Sequence, residues 1–360
     1  MTSSQRNSRR KIRVAVVDDS TFIRKAITRM LQEEADLTVV GSAGSGEELL
    51  THLEEWAPDV VTLDLDMPGM GGLATLDRLT ALGPLPVIIL STHSGKGAPL
   101  TIEALHRGAT DFIDKQRYSL VDFGALRSVL LEKILQVTGH PRGEVAQEPP
   151  PTPITQASAL EDDRRLGEYD IILLGASTGG PPVLQTILEV VGKSVPVPIV
   201  IVQHMPLGFT QAFAERLNAY LPLVVREAYP GEILQADTVY IARAGEHLRI
   251  RRREGRLMAE VGLFPKNLTH MPSVDVLFES AARAVGRRAV AALLTGMGSD
   301  GAKGLAALKA AGAYTLCQDE ASSIVFGMPR AAMSRNAARE VGDPDRIGRR
   351  LSQLVTPAPS

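Results

Sequence analysis

Short apolar runs recur along this chain, and each stops at a small, polar or acidic residue just ahead of a helical stretch. Ile12 to Val17 ends in Asp18-Asp19, and Val60 to Leu63 ends in Asp64-Leu65-Asp66-Met67-Pro68. Val39-Val40 precedes a helix expected at about 46 to 55, Val87 to Leu90 ends in Ser91-Thr92, and Asp111-Phe112-Ile113-Asp114 ends in Lys115. Strands this apolar need both faces covered, which a parallel sheet flanked by crossover helices provides. Five such units in about 125 residues predict a doubly wound α/β domain.

The pattern returns in the second half. Ile171 to Leu174 leads into Gly175-Ala176-Ser177-Thr178-Gly179-Gly180 and a helix opened by Pro181 and Pro182. Pro198 to Val202 ends in Gln203-His204-Met205-Pro206 before a helix from about Gly208 to Ala219. Val290 to Leu294 ends in Thr295-Gly296-Met297-Gly298-Ser299-Asp300-Gly301 before another. As parallel members of one sheet, these strands would carry Ser177, His204 and Asp300 to one edge, where open α/β sheets hold their sites. A serine hydroxyl needs a base to take its proton, and the oxyanion it creates on a carbonyl needs aimed N–H donors, which the first turn of a helix supplies. Taken singly, the Ser177 turn also reads as an anion-binding loop, and Asp300 as an N-cap for the helix starting near Gly301. Of the seven histidines, at 52, 93, 106, 140, 204, 247 and 270, only His204 ends a buried strand; His270, ahead of Met271-Pro272, is the rival base.

One edge of the first domain gathers Asp18, Asp19, Asp64, Ser91 and Lys115. Three crowded carboxylates repel unless a hard cation neutralises them, which points to Mg²⁺ held by carboxylates and water. With Lys115 as a point charge and Ser91 as a hydroxyl donor, such a pocket suits transfer of a phosphoryl group onto a carboxylate. Each residue alone has a plainer reading: Asp18-Asp19-Ser20 is also a capping sequence, and a lysine at a strand end is usually solvated.

Residues 11 to 137 resemble a response-regulator receiver domain, and residues 169 to 356 resemble the catalytic domain of the CheB family of chemotaxis protein-glutamate methylesterases. The resemblance extends to Pro272-Ser273-Val274-Asp275-Val276-Leu277-Phe278 and to Gln318-Asp319-Glu320-Ala321-Ser322-Ser323-Ile324-Val325-Phe326-Gly327-Met328-Pro329. It implies a flavodoxin-like doubly wound receiver with strand order 2-1-3-4-5, followed by an α/β methylesterase domain with a mostly parallel sheet. In the receiver it implies Asp64 as the phosphoacceptor, Asp18 and Asp19 beside it as Mg²⁺ ligands, Ser91 and Lys115 as the phosphoryl-sensing pair and Phe112 as the switch aromatic. In the second domain it implies Ser177 as nucleophile, His204 as base and Asp300 as its orienter, with oxyanion stabilisation near Thr178 and the Met297 backbone and no cofactor for ester hydrolysis. The implied activity is that of a phosphorylation-controlled serine esterase, which demethylates glutamate esters on chemoreceptors and deamidates receptor glutamines. The implied partners are the cytoplasmic domain of a methyl-accepting chemoreceptor and a chemotaxis-type histidine kinase. The sequence departs from the family pattern at Gln116, usually proline, at Gly71, commonly aspartate, and at Arg243-Ala244, usually Pro-Gly.

Between the domains, residues 138 to 168 lose their periodicity, and Pro149-Pro150-Pro151-Thr152-Pro153 predicts an extended, semi-rigid linker. A net charge of −2 and the lack of a helix-turn-helix pattern argue against nucleic-acid binding and a DNA-binding output. A non-catalytic binding or scaffold module after the receiver is the alternative reading. The arginines at 249, 251, 252, 253 and 256 fall on an expected hairpin with Glu254-Gly255 at its turn, a pattern most often a solvated face. The single cysteine, Cys317, fits a reducing compartment. Arg9-Arg10-Lys11-Ile12-Arg13 is followed by an apolar run too short for a signal peptide, and no run is long enough to span a membrane, so a cytoplasmic protein is expected.

Overall fold

The computed structural model describes residues 10–91, 97–115, 123–139, 168–266 and 268–356. The chain divides into two compact units, Met1–Gly143 and Glu144–Ser360. The expected linker at 138 to 168 lies almost entirely outside the described residues, as do Gln116, His93 and His140.

The first unit runs β1 (Ile12–Val17), α1 (Thr21–Gln32), β2 (Leu37–Ala43), α2 (Gly46–Trp56), β3 (Val60–Asp64), α3 (Gly71–Leu82), β4 (Val87–Ser91), α4 (Gly97–His106), β5 (Asp111–Asp114) and α5 (Phe123–Val137). Its strands form one parallel sheet in the order β2-β1-β3-β4-β5. Val14, Val16, Ile88, Leu90 and Ile113 pack against Ile27 and Leu31 of α1 and Leu130 and Ile134 of α5. Ser20 and Ser45 cap α1 and α2 by accepting the N–H of Ile23 and Glu48, which satisfies donors that a helix start leaves open. The strand order reverses at β1, whose C-terminal end and that of β3 frame the crevice where such sheets bind ligands.

The second unit runs β6 (Ile171–Ala176), α6 (Gly180–Val191), β7 (Ile199–Gln203), α7 (Phe209–Tyr220), β8 (Val224–Glu227), β9 (Thr238–Ile241), β10 (His247–Arg253), β11 (Arg256–Gly262), α8 (Val274–Ala284), β12 (Ala289–Leu293), α9 (Ala302–Ala310), β13 (Tyr314–Gln318), α10 (Met328–Ser334), β14 (Glu340–Gly342) and α11 (Pro344–Val355). Seven strands pair in the order β14-β13-β12-β6-β7-β9-β8, and every neighbouring pair is parallel. β6, β7, β12 and β13 are buried along their whole length, as central strands covered by helices on both faces must be. The sheet reverses direction at β6, so Ser177 stands at a switch point. The last helix shows how local signals act together: Asp343 caps α11 through the Arg346 N–H at 2.8 Å, Pro344 opens it, and Ile347, Leu351, Leu354 and Val355 form its buried stripe.

β10 and β11 form the expected antiparallel hairpin, separate from the main sheet, with Glu254 and Gly255 at positive φ in its turn. Its arginines are largely engaged within the domain. Arg249 and Arg251 pair with Glu260 on the facing strand, and Arg252 reaches Asp170 and the Ala284 carbonyl. Ala244 is buried and donates its N–H to Thr210 Oγ1, while Arg243 pairs with Glu227 and Glu246, so the Arg243-Ala244 departure is accommodated within the loop. Among the described residues no helix is long and apolar enough to cross a membrane.

Candidate active site

β6 stays paired with β7 through Gly175↔Val202 and Ala176↔Gln203, two residues past the end expected from its apolar run. Ser177 and His204 are thus the first residues beyond the ladder on adjacent strands. The His204 N–H donates to the Ala176 carbonyl at 3.1 Å, and the Ser177 N–H donates to the Thr295 carbonyl at 3.0 Å in the loop after β12. That loop lies hard against the serine: a methyl group on Gly296 would come within 2.8 Å of Ser177 Cβ.

Asp300 lies seven residues past the end of β12 rather than at the strand end itself, and it does not cap the helix it precedes, whose N-cap is Gly301. Instead its carboxylate sits on the N-terminus of α8. Oδ2 accepts the Val274 N–H at 2.7 Å, and Oδ1 accepts the Asp275 N–H at 3.0 Å and the Ser273 hydroxyl at 2.8 Å. The same Oδ2 bonds His204 Nε2 at 2.8 Å. Burial works against the charged form, but the bonds to His204, Asp275 and Ser273 outweigh it and hold the carboxyl far below the usual range. Free amides at a helix start favour an anion for the same reason.

With an anion on Nε2, His204 carries its proton there, and Nδ1 is the acceptor. Nδ1 is buried and has no hydrogen-bond partner among the described residues. The Ser177–His204 hydrogen bond expected of a nucleophile and its base is therefore not formed in this structure, although the two residues are neighbours in strand register; such bonds commonly tighten only with substrate bound.

His270, the rival base, lies flat against His204, with ring centroids 4.1 Å apart and planes 11° from parallel. Burial and the neighbouring His204 push its pKa down to about 4. Of the two imidazoles, it is His204 that holds the carboxylate. His247 is fully buried and accepts the Ser273 N–H on Nδ1 at 3.2 Å, which extends the network behind Asp300.

Thr178 is buried, and its carbonyl accepts the Thr295 hydroxyl at 3.0 Å, so the turn after Ser177 is tied to the β12 loop. Thr295 Oγ1 also accepts the Val325 N–H at 3.0 Å, and the Gly296 N–H donates to Val325, which lays the 319–326 segment beside the Met297 loop. Sequence reasoning missed three supporting residues: Gln203, whose amide bonds the carbonyls of Ser177 and His204; Ser273; and Thr295. Ser273 carried a signal, since a serine ahead of Val274-Asp275 is a capping pattern.

In the first unit, one carboxylate oxygen each from Asp18, Asp19 and Asp64 falls within a 4.8 Å cluster. Asp18 and Asp64 are buried and Asp19 is exposed. An all-carboxylate donor set with one solvent-facing member fits a hard, partly hydrated cation such as Mg²⁺. Lys115 Nζ bridges Asp64 at 2.8 Å and Asp18 at 3.0 Å. Burial opposes its charge, but these two carboxylates outweigh it and keep its pKa above the ordinary lysine value. Ser91 and Phe112 are both buried, and Ser91 Oγ accepts the Thr101 hydroxyl at 2.5 Å. Arg24 on α1 donates to the Asp18 and Asp19 carbonyls at 2.5 and 3.0 Å, bracing the acidic loop.

Known proteins match nearly the whole chain. The CheB methylesterase family matches residues 172–351, and the response regulator receiver domain family matches residues 14–121. The chain is 40% identical over 334 residues to a protein-glutamate methylesterase/protein-glutamine glutaminase from Halalkalibacterium halodurans, covering 92% of this chain and 94% of that protein. It is 41% identical over 336 residues to one from Bordetella avium, with the same coverage of 92% and 94%. Among solved structures, the CheB methylesterase catalytic domain of Thermotoga maritima aligns with a TM-score of 0.51 at 36% identity, covering 52% of this chain and 99% of that one.

Proposed function

The chain belongs to the CheB family of protein-glutamate methylesterase/protein-glutamine glutaminases with a receiver domain, and from that premise we propose that Ser177, His204 and Asp300 hydrolyse glutamyl methyl esters on the cytoplasmic helices of a chemoreceptor. Ser177 Oγ attacks the ester γ-carbonyl as His204 Nδ1 takes its proton. Asp300 keeps the other ring proton on Nε2 and stabilises the imidazolium that forms. The tetrahedral oxyanion faces the amides near Thr178 and Met297. Methanol leaves with the proton from His204, and water then attacks the acyl-enzyme by the reverse proton path, releasing glutamate. A glutamine side chain follows the same course with ammonia as the leaving group.

The observation that carries this reading is His204 itself: its Nε2 is bound to an anion held by a helix start, its buried Nδ1 has no hydrogen-bond partner among the described residues, and its backbone N–H is bonded to Ala176, the residue before Ser177. A non-catalytic anion-binding turn would not require that pairing.

In the receiver, Asp18, Asp19 and Asp64 would hold Mg²⁺, which supplies charge neutralisation for an incoming phosphoryl group. Asp64 accepts the phosphoryl group from a histidine kinase, Lys115 pairs with its oxygens, and Ser91 and Phe112 relay the change. Mass spectrometry of a methylated receptor cytoplasmic domain incubated with the protein tests the reading. Loss of methyl ester at receptor glutamates is the expected result, and receptor that keeps every ester would overturn it.

A further inference from the structure

We propose that Gln203 is a positioning residue that sets the separation of nucleophile and base, an inference that rests on the esterase reading of Ser177 and His204. The backbone ladder between β6 and β7 ends at the bond from the His204 N–H to the Ala176 carbonyl. Beyond it the chains part, one toward α6 and the other toward α7. Neighbouring strands are held about 4.8 Å apart by their ladder, and nothing in the backbone extends that spacing past the last bond.

The Gln203 side chain does so. Its Nε2 donates to the Ser177 carbonyl at 2.9 Å and to the His204 carbonyl at 3.1 Å. Both hydrogens of one planar amide are thereby fixed on the two residues that must meet. The Ser177 carbonyl also accepts the Gly180 N–H at 2.8 Å, so the same tether orients the first turn of α6. Gln203 is 2% exposed, which leaves these bonds without competition from water. Gly180 completes the seat: a methyl group there would come within 2.0 Å of Gln203 Oε1, so any larger residue displaces the amide.

The test measures turnover of a p-nitrophenyl ester per active serine, with active serines counted by labelling to completion with a fluorophosphonate. Wild-type protein that takes no label at Ser177 would sink the esterase reading itself, before Gln203 is in question. Gln203→Met keeps the volume and removes both donors. We expect about one labelled serine per chain, a kcat per labelled serine lower by roughly 10- to 100-fold, and a KM changed by less than about twofold. Gly180→Ala, whose methyl would press on Gln203 Oε1 and also on Ala176 Cβ, should show the same split, and Gln203→Glu, which keeps the shape but replaces the donor with an acceptor, decides if Gln203→Met does not fold. A residue that only supports the fold would lower the labelled fraction and leave turnover per labelled serine intact. That outcome, or a per-serine kcat within about threefold of wild type, overturns the proposal.

Discussion

Asp300 and Asp275 each serve the helix that the other begins. Asp300, in the turn before α9, accepts the Asp275 N–H at the start of α8 at 3.0 Å, and the Asp275 carboxylate accepts the Gly304 N–H in the first turn of α9 at 2.7 Å. The carboxylate that bonds His204 is therefore held on the start of α8, and Asp275 ties that start in turn to the first turn of α9. The proposed catalytic geometry and the packing of these two helices share one set of bonds.

That sharing separates two substitutions. Asp300→Asn keeps the shape but loses the charge that pairs with the imidazolium, and its NH2 group opposes a donor whichever way it turns, the Val274 N–H and His204 Nε2 on one side or the Asp275 N–H on the other. Ester turnover should fall by about 10³- to 10⁴-fold with the fold retained. Asp300→Ala also strands the Val274 and Asp275 N–H groups and the Ser273 hydroxyl, which should cost about 2–4 kcal/mol of stability. Urea denaturation beside turnover measures both; equal stability of the two variants would break the argument.

The stacked histidines make a second contrast. Ser177→Ala and His204→Ala should each lose at least about 10³-fold in turnover, because members of such a constellation act as a unit. His270→Ala removes a ring that packs on His204 and bonds no carboxylate among the described residues, so its loss should stay within about 30-fold. His270→Ala as damaging as His204→Ala would reverse the assignment.

Much of this was legible in the chain because parallel strands announce themselves: Ile12–Val17 and Asp111–Asp114 fall where their apolar runs end. β6 ran on to Ala176, since small residues such as Gly175 and Ala176 pair in a ladder without contributing an apolar signal. Asp300, expected as the partner of His204, also fitted a local cap when taken alone, because its further partners at 273–275 come from another helix and no short-range pattern encodes that contact. Gln203 gave no signal at all. A buried glutamine reads as any other polar residue until the carbonyls it bridges are placed.

Acid should reveal His270. Its pKa falls from 6.5 to about 4 on folding, through burial and the neighbouring His204, so between those values the unfolded chain binds more protons and stability rises with pH. The contribution is fully present above about pH 6.5 and is lost as pH falls toward 4, by roughly 1–3 kcal/mol. Melting temperatures at pH 7.5 and pH 5 should therefore differ more for wild type than for His270→Phe. The same difference in both proteins would show that another group carries the pH dependence.

The receiver supplies the last prediction. Asp64 lies where β3 ends, within reach of Asp18, Asp19 and the Lys115 cation, whereas Asp66, two residues on, is exposed and stands outside the acidic cluster. A small phosphodonor with Mg²⁺ should label wild type and leave Asp64→Asn at background, and label that survives there but vanishes in Asp66→Asn would move the acceptor. Chelation with EDTA should abolish labelling while unphosphorylated ester turnover holds, since Ser177 chemistry draws on no metal in the proposed course. Phosphodonor should raise ester turnover in wild type about tenfold, a coupling of only about 1.4 kcal/mol. Asp64→Asn should show no rise; activation that persists in it would place the phosphodonor's effect outside this carboxylate cluster.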